Sequence, residues 1–510
     1  MTNRCSECPN RDPSCDRYSW PVVYGDGPSP CPVMLLGAGP SKDETARHRV
    51  YAGRAGEELE NTYLPRGGLC RGENIYISNV TLSWDGSDRP PADKRVQSCA
   101  RFHLPDLLAR VRPEVLVLMG GAAVRIADPL PGGQRLRLDL HRGVPQWGSV
   151  LGGTWTGWIW PMFEPALGMR DTPRMSQLLD DWNHFGKWMK GEWVPPQPEV
   201  SIPDYRLVGW YELEEYLKQG YSKHHCALDT ESHGGKLWSI QVSHTPGTGR
   251  MILATDDNTI AWFAGWAGSA YCEWSMHNCV ADLDACEQRG IRFKWYSDTM
   301  QMAYQTNFLP QGLKALAYRL FGVTMRGWQD VVWPASVTAL LDWIAKAIHV
   351  AQDHLSESET TTLIRGRCGV CNHQHATGPC RREACGCTAG PEQRIFAYST
   401  RKPGAVESIL RHVARYTAGT QEQDTHYDPW KAMVRMREEG LRGRMAEGWE
   451  WQTLEEALGS APILGIGNTT LEEAVRYGCQ DADFTGRVAA RLEEGRGDPK
   501  YLVAREDWDR

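Results

Sequence analysis

Short runs of consecutive apolar residues alternate with stretches of helical periodicity over the first 190 residues. The runs PVMLLGAGP and RPEVLVLMGG end in glycine and are typical of buried strands. Residues 53–64, 93–111 and 176–190 instead carry apolar positions at helical spacing. Because strands that alternate with helices favour a mainly parallel sheet, we predict an α/β domain over residues 1–190.

A proline-rich stretch, GEWVPPQPEVSIPDY, separates this pattern from a second one, and we predict a linker at residues 191–206. Beyond it, three strand-like runs follow at close spacing, HHCALDTES, KLWSIQVSH and RMILATD. Helical periodicity then returns at residues 278–290, 298–307 and 311–321. The second domain is therefore also expected to be α/β.

Composition and charge leave nucleic acid open as a partner. The chain has 510 residues, of which 41% are hydrophobic and 23% charged, which is ordinary for a globular protein. The net charge of −7 argues against a uniformly basic surface, but a nuclease can combine an acidic metal site with basic approaches. No apolar run approaches the ~20 residues of a membrane span, and the start MTNRCSECPN lacks the regions of a signal peptide. We therefore expect a cytoplasmic protein without membrane contact.

Two pairs of residues each have the spacing of half a metal site. Asp229 ends an apolar strand and Glu231 lies two positions on, where strand geometry places both carboxylates on the same side. Tyr477 and Asp481 stand four positions apart, so a helix would present the phenol and the carboxylate on one face. Either pair alone is more often a polar strand end or a helix surface than a ligand set.

Further blocks stand between these pairs, and together they form an ordered set. The set consists of Asp229 and Glu231, His277 and Asn278 with Asp282, Asp298 and Thr299 with Gly312 and Leu313, and Tyr477 with Asp481. It resembles the 3′→5′ exonuclease domain of family A DNA polymerases, which is closely related to ribonuclease D. The resemblance covers roughly residues 207–330 and 460–495, and GLKALAYRLFGVTMRGWQDVV is most similar to phage-type polymerases. It implies a ribonuclease H-like (DnaQ-like) fold.

The resemblance implies a catalytic set of four carboxylates and one tyrosine. The residues that match the family's metal ligands are Asp229, Glu231, Asp282 and Asp481. Two Mg²⁺ or Mn²⁺ ions about 3.5–4 Å apart can stabilise the entering and leaving oxygens of an in-line displacement, and carboxylate oxygens suit these hard cations. Tyr477 would orient the attacking water or help to deprotonate it. Asp284, beside Asp282, is expected to be solvated surface.

An insertion interrupts the exonuclease-like pattern. Asp282 and Asp481 are 199 residues apart, so we place the parts of this domain at 207–340 and 456–510, around an insertion at 341–455. The insertion contains CGVCNHQHATGPCRREACGC, and a zinc ion would take four of its side chains as ligands. The candidates are Cys368, Cys371, Cys380, Cys385 and Cys387, with His373 and His375 between them. The spacing does not decide which four bind.

The N-terminal domain carries a second resemblance, over about residues 1–185. The blocks that carry it are, in order, VVYGDG, VMLLGAGPSKDE, RVYAGRAGEEL, IYISNV, RPPADKRVQSC, RPEVLVLMGGAA and FEPALGMRD. In order and spacing they resemble family 4 uracil-DNA glycosylases, which implies a glycosylase-like α/β/α domain.

Members of that family hold an iron–sulfur cluster on four cysteines. Cys5, Cys8 and Cys99 match three of the ligands, while Ser83 stands in place of the remaining one. Because such a cluster needs four ligands in most sites, we expect Cys15, in the same N-terminal segment, to be the substitute. The resemblance thus implies a [4Fe–4S] cluster, with a zinc ion in the same pocket as the alternative.

The base pocket of the glycosylase-like domain departs from the family pattern at two positions. Ala38 replaces an acid in a Gly-Glu-Gly-Pro-Gly motif, and Glu164 replaces the histidine of a His-Pro-Ala motif. The remaining pocket residues are Asn79 at the base-reading position, Tyr51 at the stacking position, and Glu44. We expect a flipped base to be bound but uracil to be excised poorly, because an anionic side chain opposes charge on the leaving base.

Two functions follow from the two resemblances. In the first, the chain is the proofreading exonuclease subunit of a split phage-type replicative DNA polymerase, acting on single-stranded 3′ ends beside a separate polymerase polypeptide, because no palm signature such as Asp-Tyr-Ser-Gln is present. In the second, it is a stand-alone repair enzyme that removes uracil and trims the DNA end. A non-enzymatic scaffold is disfavoured because every metal-binding acid is present.

Overall fold

The computed structural model describes residues 22–198, 202–339 and 463–495, with gaps of one to three residues inside these ranges. The predicted zinc-binding insertion lies outside the described residues, as do Cys5, Cys8 and Cys15. Within the described ranges, no helix combines the length and the apolar composition needed to cross a membrane.

The first domain is built on a five-stranded sheet with the strand order β2-β1-β3-β5-β4. The strands are β1 (Val33–Gly37), β2 (Tyr76–Asn79), β3 (Val115–Met119), β4 (Gln146–Val150) and β5 (Trp155–Met162). Only the pairing of β4 with β5 is antiparallel among these described strands. The carboxyl ends of β1, β2, β3 and β5 therefore meet at one edge of the sheet.

Helices cover both faces of this sheet. They are α1 (Lys42–Arg47), α2 (Arg54–Glu58), α3 (Leu64–Arg66), α4 (Asp93–Val111), α5 (Gly120–Val124), α6 (Leu138–His141), α7 (Pro165–Gly168) and α8 (Thr172–Met189), with a π-helical turn at Leu59–Tyr63. Leu36 of β1 packs in one core with Leu104 of α4, whereas Leu35 packs in the opposite core with Trp182 of α8. Burial on both faces explains why these strands appear in the sequence as unbroken apolar runs.

The second domain has a six-stranded sheet with the order β11-β10-β7-β8-β9-β6. The strands are β6 (Asp204–Leu207), β7 (His225–His233), β8 (Lys236–Ser243), β9 (Thr248–Leu253), β10 (Glu273–Met276) and β11 (Tyr296–Asp298). β8 runs antiparallel to β7 and β9, while β10 is parallel to β7 and β11 is parallel to β10. The strand that carries the predicted acids, β7, therefore lies inside the sheet.

The helices of this domain are α9 (Trp210–Tyr221), α10 (Asp257–Ala267), α11 (Val280–Glu287), α12 (Thr299–Gln305), α13 (Leu313–Phe321) and α14 (Leu471–Gly495), and a 3₁₀ turn spans Ile466–Asn468. Helix α14 packs closely on the sheet, since a Cβ added at Gly486 would lie 3.1 Å from the Cβ of Ala227. Buried Asp483 of α14 accepts hydrogen bonds from the Tyr205 hydroxyl at 2.7 Å and from the Gly247 N–H at 3.0 Å. These contacts fix α14 against β6 and β9.

The α/β class predicted from the sequence is confirmed by both sheets. The structure differs from the predicted linker at its carboxyl end, because residues 204–207 form β6, which pairs in parallel with β9. The proline-rich composition of 191–206 predicted a linker rather than a strand. Strand β9, with which β6 pairs, is distant in sequence.

Candidate functional site

The predicted catalytic acids lie on three different elements of the second domain. Asp229 and Glu231 are on β7, Asp282 is on α11 and Asp481 is on α14. Asp282 reaches β7 directly, where its Oδ1 accepts hydrogen bonds from the backbone N–H of Thr230 at 2.9 Å and from its hydroxyl at 2.6 Å. Burial, followed by repulsion from Glu231, Asp282 and Asp481, raises the pKa of Asp229. The structure therefore brings all four carboxylates into one cluster.

The sequence blocks around the cluster hold α11 in place. Asp298, at the end of β11, accepts hydrogen bonds from the backbone N–H groups of Asn278 at 2.9 Å and Cys279 at 3.2 Å. Asn278 has a φ of 57°, a left-handed conformation that asparagine tolerates better than most residues. The His277 ring is hydrogen-bonded to the Thr299 hydroxyl at 2.8 Å. Together these contacts fix the start of α11 so that Asp282 faces β7.

Burial raises the pKa values of the four acids. It is the largest cause for Asp229, whose pKa lies well above its usual range, and it raises the pKa of Glu231 to about 8 and that of Asp282 to about 6. The pKa of Asp481 is also raised by burial, although Lys314 opposes the shift. The cluster therefore resists carrying four negative charges without a compensating cation.

A lysine that the sequence analysis missed supplies part of this compensation. Nζ of Lys314, on α13, lies 3.0 Å from both carboxylate oxygens of Asp481 and 4.9 Å from the centre of the Tyr477 ring. Its positive charge lowers the pKa values of Asp229 and Glu231 as well. In the sequence, a lysine in the first turn of a helix gives no signal of this role.

The donor set fits a hard divalent cation. Oδ2 of Asp229 is buried and has no hydrogen-bond partner within the described part of the chain. Carboxylate oxygens are the ligands that Mg²⁺ and Mn²⁺ favour. As the side chains stand, no group of three or more His, Cys, Asp or Glu residues in the described ranges is arranged to hold an ion. In this arrangement Asp481 is hydrogen-bonded to Lys314 and Asp282 to Thr230.

Tyr477 belongs to the same cluster. It is 6% exposed, and its hydroxyl is hydrogen-bonded to Asp481, four residues further along α14. Burial and the charges of Asp481, Glu231 and Asp229 raise its pKa far above the usual value. The raised pKa means that the phenol keeps its proton at neutral pH, which favours orientation of a ligand by Tyr477 over deprotonation of water.

We predict that Lys314→Met increases the affinity of the protein for Mn²⁺ about tenfold. A unit charge 4 Å away contributes about 4 kcal/mol at an effective dielectric constant of 20, so a change of about 1.4 kcal/mol is a conservative expectation when this ammonium is removed. Calorimetric titration of the metal-free protein measures the dissociation constant. Lys236→Met, at the exposed first position of β8, is the matched control. Unchanged affinity in Lys314→Met would contradict the assignment of Lys314 as a competing cation.

The four predicted base-pocket residues also come together, at the carboxyl edge of the first sheet. Asn79 ends β2, and Glu164 follows β5. Glu164 accepts hydrogen bonds from the Tyr51 hydroxyl at 3.3 Å and from the backbone N–H of Ala38 at 3.2 Å. Glu44 accepts one from the backbone N–H of Tyr51 at 2.5 Å. The two acids therefore hold the tyrosine between them.

Two glycines make this arrangement possible. A Cβ at Gly37 would clash with the Tyr51 hydroxyl and would lie 2.5 Å from Oδ1 of Asn79. Gly120 has a φ of +83°, and a Cβ there would lie 2.6 Å from Cγ of Glu164. The amide nitrogen of Asn79 is buried without a hydrogen-bond partner among the described residues, so it can donate to an acceptor on a ligand.

The charge of Glu164 depends on pH near neutrality. Burial raises its pKa to about 7, while the hydrogen bond from Ala38 opposes the shift and the charge of Glu44 adds to it. Burial, followed by the charge of Glu164, raises the pKa of Tyr51 well above its usual value, so its hydroxyl remains a donor. Below pH 7 Glu164 is therefore mainly a neutral acid, and above pH 7 it is an anion.

Cys99 is the one predicted cluster ligand that falls within the described residues, where it is half-buried on α4. Ser83, at the position of the family's remaining ligand, accepts a hydrogen bond from Arg95 at 2.9 Å. Of the other cysteines in this domain, Cys31 is buried in the core, whereas Cys70 is exposed. The iron–sulfur and zinc assignments stay predictions.

Comparison with known proteins gives a match for the first domain. Residues 24–186 match the family model "Uracil DNA glycosylase superfamily". A type-4 uracil-DNA glycosylase of Thermotoga maritima is 29% identical over 169 residues, which cover 33% of this chain and 79% of that protein. One from Archaeoglobus fulgidus is 28% identical over 143 residues, covering 27% of this chain and 70% of that protein.

Among solved structures, one match is the catalytic core of RRP6 from Trypanosoma brucei. It shares 13% sequence identity at a TM-score of 0.24, and the match covers 27% of this chain and 40% of the RRP6 chain. The comparisons thus support a domain of the uracil DNA glycosylase superfamily at residues 24–186.

Proposed function

We propose that the chain is a metal-dependent 3′→5′ exonuclease that hydrolyses phosphodiester bonds at single-stranded 3′ ends of DNA. The observation that carries this proposal is the convergence of four carboxylates, from β7, α11 and α14, in one buried cluster beside a tyrosine. Burying like charges together is costly, so such clusters mark functional sites more often than structural ones. The ordered sequence resemblance to polymerase exonucleases points to the same reaction.

The roles of the residues follow from their positions. The side chains that would hold divalent cations are those of Asp229, Glu231, Asp282 and Asp481, and the bound cations would stabilise charge on the attacking and leaving oxygens. Tyr477, which keeps its proton, would donate a hydrogen bond that orients water or a phosphate oxygen. Lys314, once released from Asp481, would place an ammonium beside the negative charge of the phosphate.

The test is digestion of a DNA strand that carries its label at the 5′ end. The full chain should shorten it stepwise from the 3′ end with Mg²⁺ or Mn²⁺ and should stop when EDTA is added. A matched RNA strand measures the preference for DNA. Undiminished digestion by the double variant Asp229→Ala, Glu231→Ala, in a preparation free of other nucleases, would refute the site.

We infer further that this activity proofreads for a separate phage-type family A polymerase. The support is the similarity of GLKALAYRLFGVTMRGWQDVV to phage polymerases. The informative observation is the neighbouring gene, which should encode a polymerase body that lacks its own exonuclease acids.

A second candidate function is uracil excision in DNA repair. The match of residues 24–186 to the glycosylase superfamily favours it, as does the pocket that Tyr51, Asn79 and Glu164 form. In this alternative the same chain would remove uracil and then trim the end. Glu164 weighs against this second candidate, because it stands where the family has the histidine that stabilises the uracil anion.

We also propose that the insertion at 341–455 binds zinc. Five cysteines and two histidines within twenty residues form the support, since so many thiolate and imidazole ligands in a short segment are typical of a structural zinc site. We predict that elemental analysis of the purified chain finds tightly held zinc, which is lost when residues 365–390 are deleted. Nuclease activity should survive the deletion, because the related exonucleases form their fold without this insertion. Equal zinc in the deletion variant would contradict the assignment.

A further inference from the structure

A buried ionic cluster joins the two domains. Arg319 of α13 donates hydrogen bonds to the carbonyl oxygen of Gly143 at 2.7 Å and to Asp180 of α8 at 2.6 Å. Asp181, which is 0% exposed, pairs with Arg142 at 2.7 Å and with Arg319 at 3.0 Å. Two guanidinium groups therefore compensate two carboxylates. Because loss of one partner would leave a buried charge unpaired, separation of the domains at this contact would be costly.

A cleft of about 870 Å³ opens beside the ionic cluster. One wall consists of α8 and the residues that follow it, including Lys187, Lys190 and Trp193. The opposite wall is formed by α12, α13 and the end of α14, including Thr306 and Arg491. The cleft therefore exists only because the two domains are packed against each other.

The lining of this interdomain cleft is positively charged. Asp180 lies in the wall but is already paired with Arg319 at 2.6 Å, and it also contacts the His184 ring at 3.2 Å. The remaining charged lining residues are the acid Glu192 and the bases Arg66, Lys187, Lys190 and Arg491, the last of which also contacts exposed Glu494 at 3.2 Å. This surplus of positive charge stands out because the whole chain has a net charge of −7. The cleft is therefore suited to a polyanion.

Two further features suit the cleft to single-stranded nucleic acid, an aromatic ring in its wall and its distance from the carboxylate cluster. Trp193 is half-buried in its wall, against Trp160 and His184, and an aromatic ring in a basic groove can stack an unpaired base. Arg491 lies ten residues beyond Asp481 on α14, a rise of about 15 Å along the helix. At ~3.4 Å per stacked nucleotide this distance corresponds to about four nucleotides.

We propose that the interdomain cleft binds the backbone of single-stranded nucleic acid, upstream of the 3′ end that occupies the carboxylate cluster. Lys187, Lys190 and Arg491 contact phosphates, and Trp193 contacts a base. The direction of the strand rests on the proposed exonuclease function, whereas binding in the cleft does not. The glycosylase-like domain thereby supplies half of the nuclease's strand-binding surface.

The experiment measures binding of fluorescent dT12 to the full chain by anisotropy in EDTA, where no digestion takes place. The double variant Lys187→Glu, Lys190→Glu should bind at least tenfold more weakly at 0.1 M salt. The dependence of log K on log salt should lose about 1.4 units of slope, because two contacts to a single strand are removed. The control is the double variant Lys236→Glu, Lys294→Glu, which makes the same change in net charge at exposed positions outside the cleft.

A second measurement uses the nuclease reaction. The ratio of kcat/KM for dT12 to kcat/KM for dT3, which is too short to span both sites, should fall at least tenfold in the cleft variant and stay constant in the control. Equal binding by the two double variants would overturn the proposal. Loss of dT12 binding in the cleft variant, in a chain that digests no DNA with Mg²⁺, would uphold the cleft and refute the exonuclease function instead.

Discussion

Asp229→Asn is expected to lower nuclease activity about a thousandfold and, at the same time, to raise the melting temperature of the metal-free protein at pH 8. The activity falls because one ligand of the cation site is lost, and a thousandfold loss corresponds to about 4 kcal/mol of transition-state stabilisation. The stability rises because burial, together with the charges of Glu231, Asp282 and Asp481, raises the pKa of Asp229 and so disfavours its charged form, a cost that the neutral amide does not carry. Loss of activity with a gain of stability separates a catalytic acid from a structural one.

The pH dependence has a definite sign. The folded-state pKa values of Asp229, Glu231 and Asp282 are raised, so between about pH 4, the unfolded value, and about pH 8 the native state binds more protons than the unfolded chain. The stability of the metal-free wild-type protein is therefore lost as the pH rises through this window. The stabilising effect of Asp229→Asn should be large at pH 8 and small at pH 5.

Thermal unfolding in EDTA at pH 5, 6.5 and 8, followed by circular dichroism, measures this effect. Asp284→Asn is the matched control, because Asp284 lies on the same helix as Asp282 but does not contribute to the carboxylate cluster. It should change neither the nuclease activity nor the pH dependence of the melting temperature. A metal-free Asp229→Asn protein that melts below the wild type at pH 8 would show that the carboxylate is a structural partner rather than a strained metal ligand.

Glu164→His is expected to raise uracil excision at least tenfold over a wild-type chain that excises poorly. Cleavage of the glycosidic bond leaves negative charge on the base, and removal of a single stabilising donor from such a site typically costs about 10²–10³ in rate. In the wild type, Glu164 has a pKa of about 7 and is an anion above that pH, so it opposes the developing charge. A histidine would instead donate a hydrogen bond to it.

The measurement is strand breakage by alkali after incubation with uracil-containing single-stranded DNA in EDTA, which silences the nuclease. Glu164→Gln is the control that removes the charge without restoring the imidazole, and it should fall between the wild type and Glu164→His. Wild-type excision, where detectable, should be faster at pH 6 than at pH 8. Efficient excision by the wild type that disappears in Asn79→Ala would favour the repair enzyme over the proofreading subunit.

The sequence determined the fold class and the identities of the clustered residues, because both follow from local patterns of apolar and acidic positions. Buried parallel strands require unbroken apolar runs, and the predicted helix at 93–111 coincides with α4 (Asp93–Val111). The spacing of Asp229 and Glu231 on a strand, and of Tyr477 and Asp481 on a helix, likewise follows from the periodicity of each element. Such motifs can be recognised by their order along the chain, even though 199 residues separate Asp282 from Asp481.

Only the tertiary structure decided how these elements meet, because the deciding contacts join residues that are far apart in the sequence. Lys314 carries no local signal, and it reaches Asp481 only because α13 packs against α14. Tyr205, in the predicted linker, is held in the second sheet by Asp483, and Arg319 crosses from one domain into a cluster with Asp180 of the other. Charge compensation and cleft formation depend on distances in space, which chain spacing does not encode, so the competing lysine and the basic interdomain cleft became visible only in the folded chain.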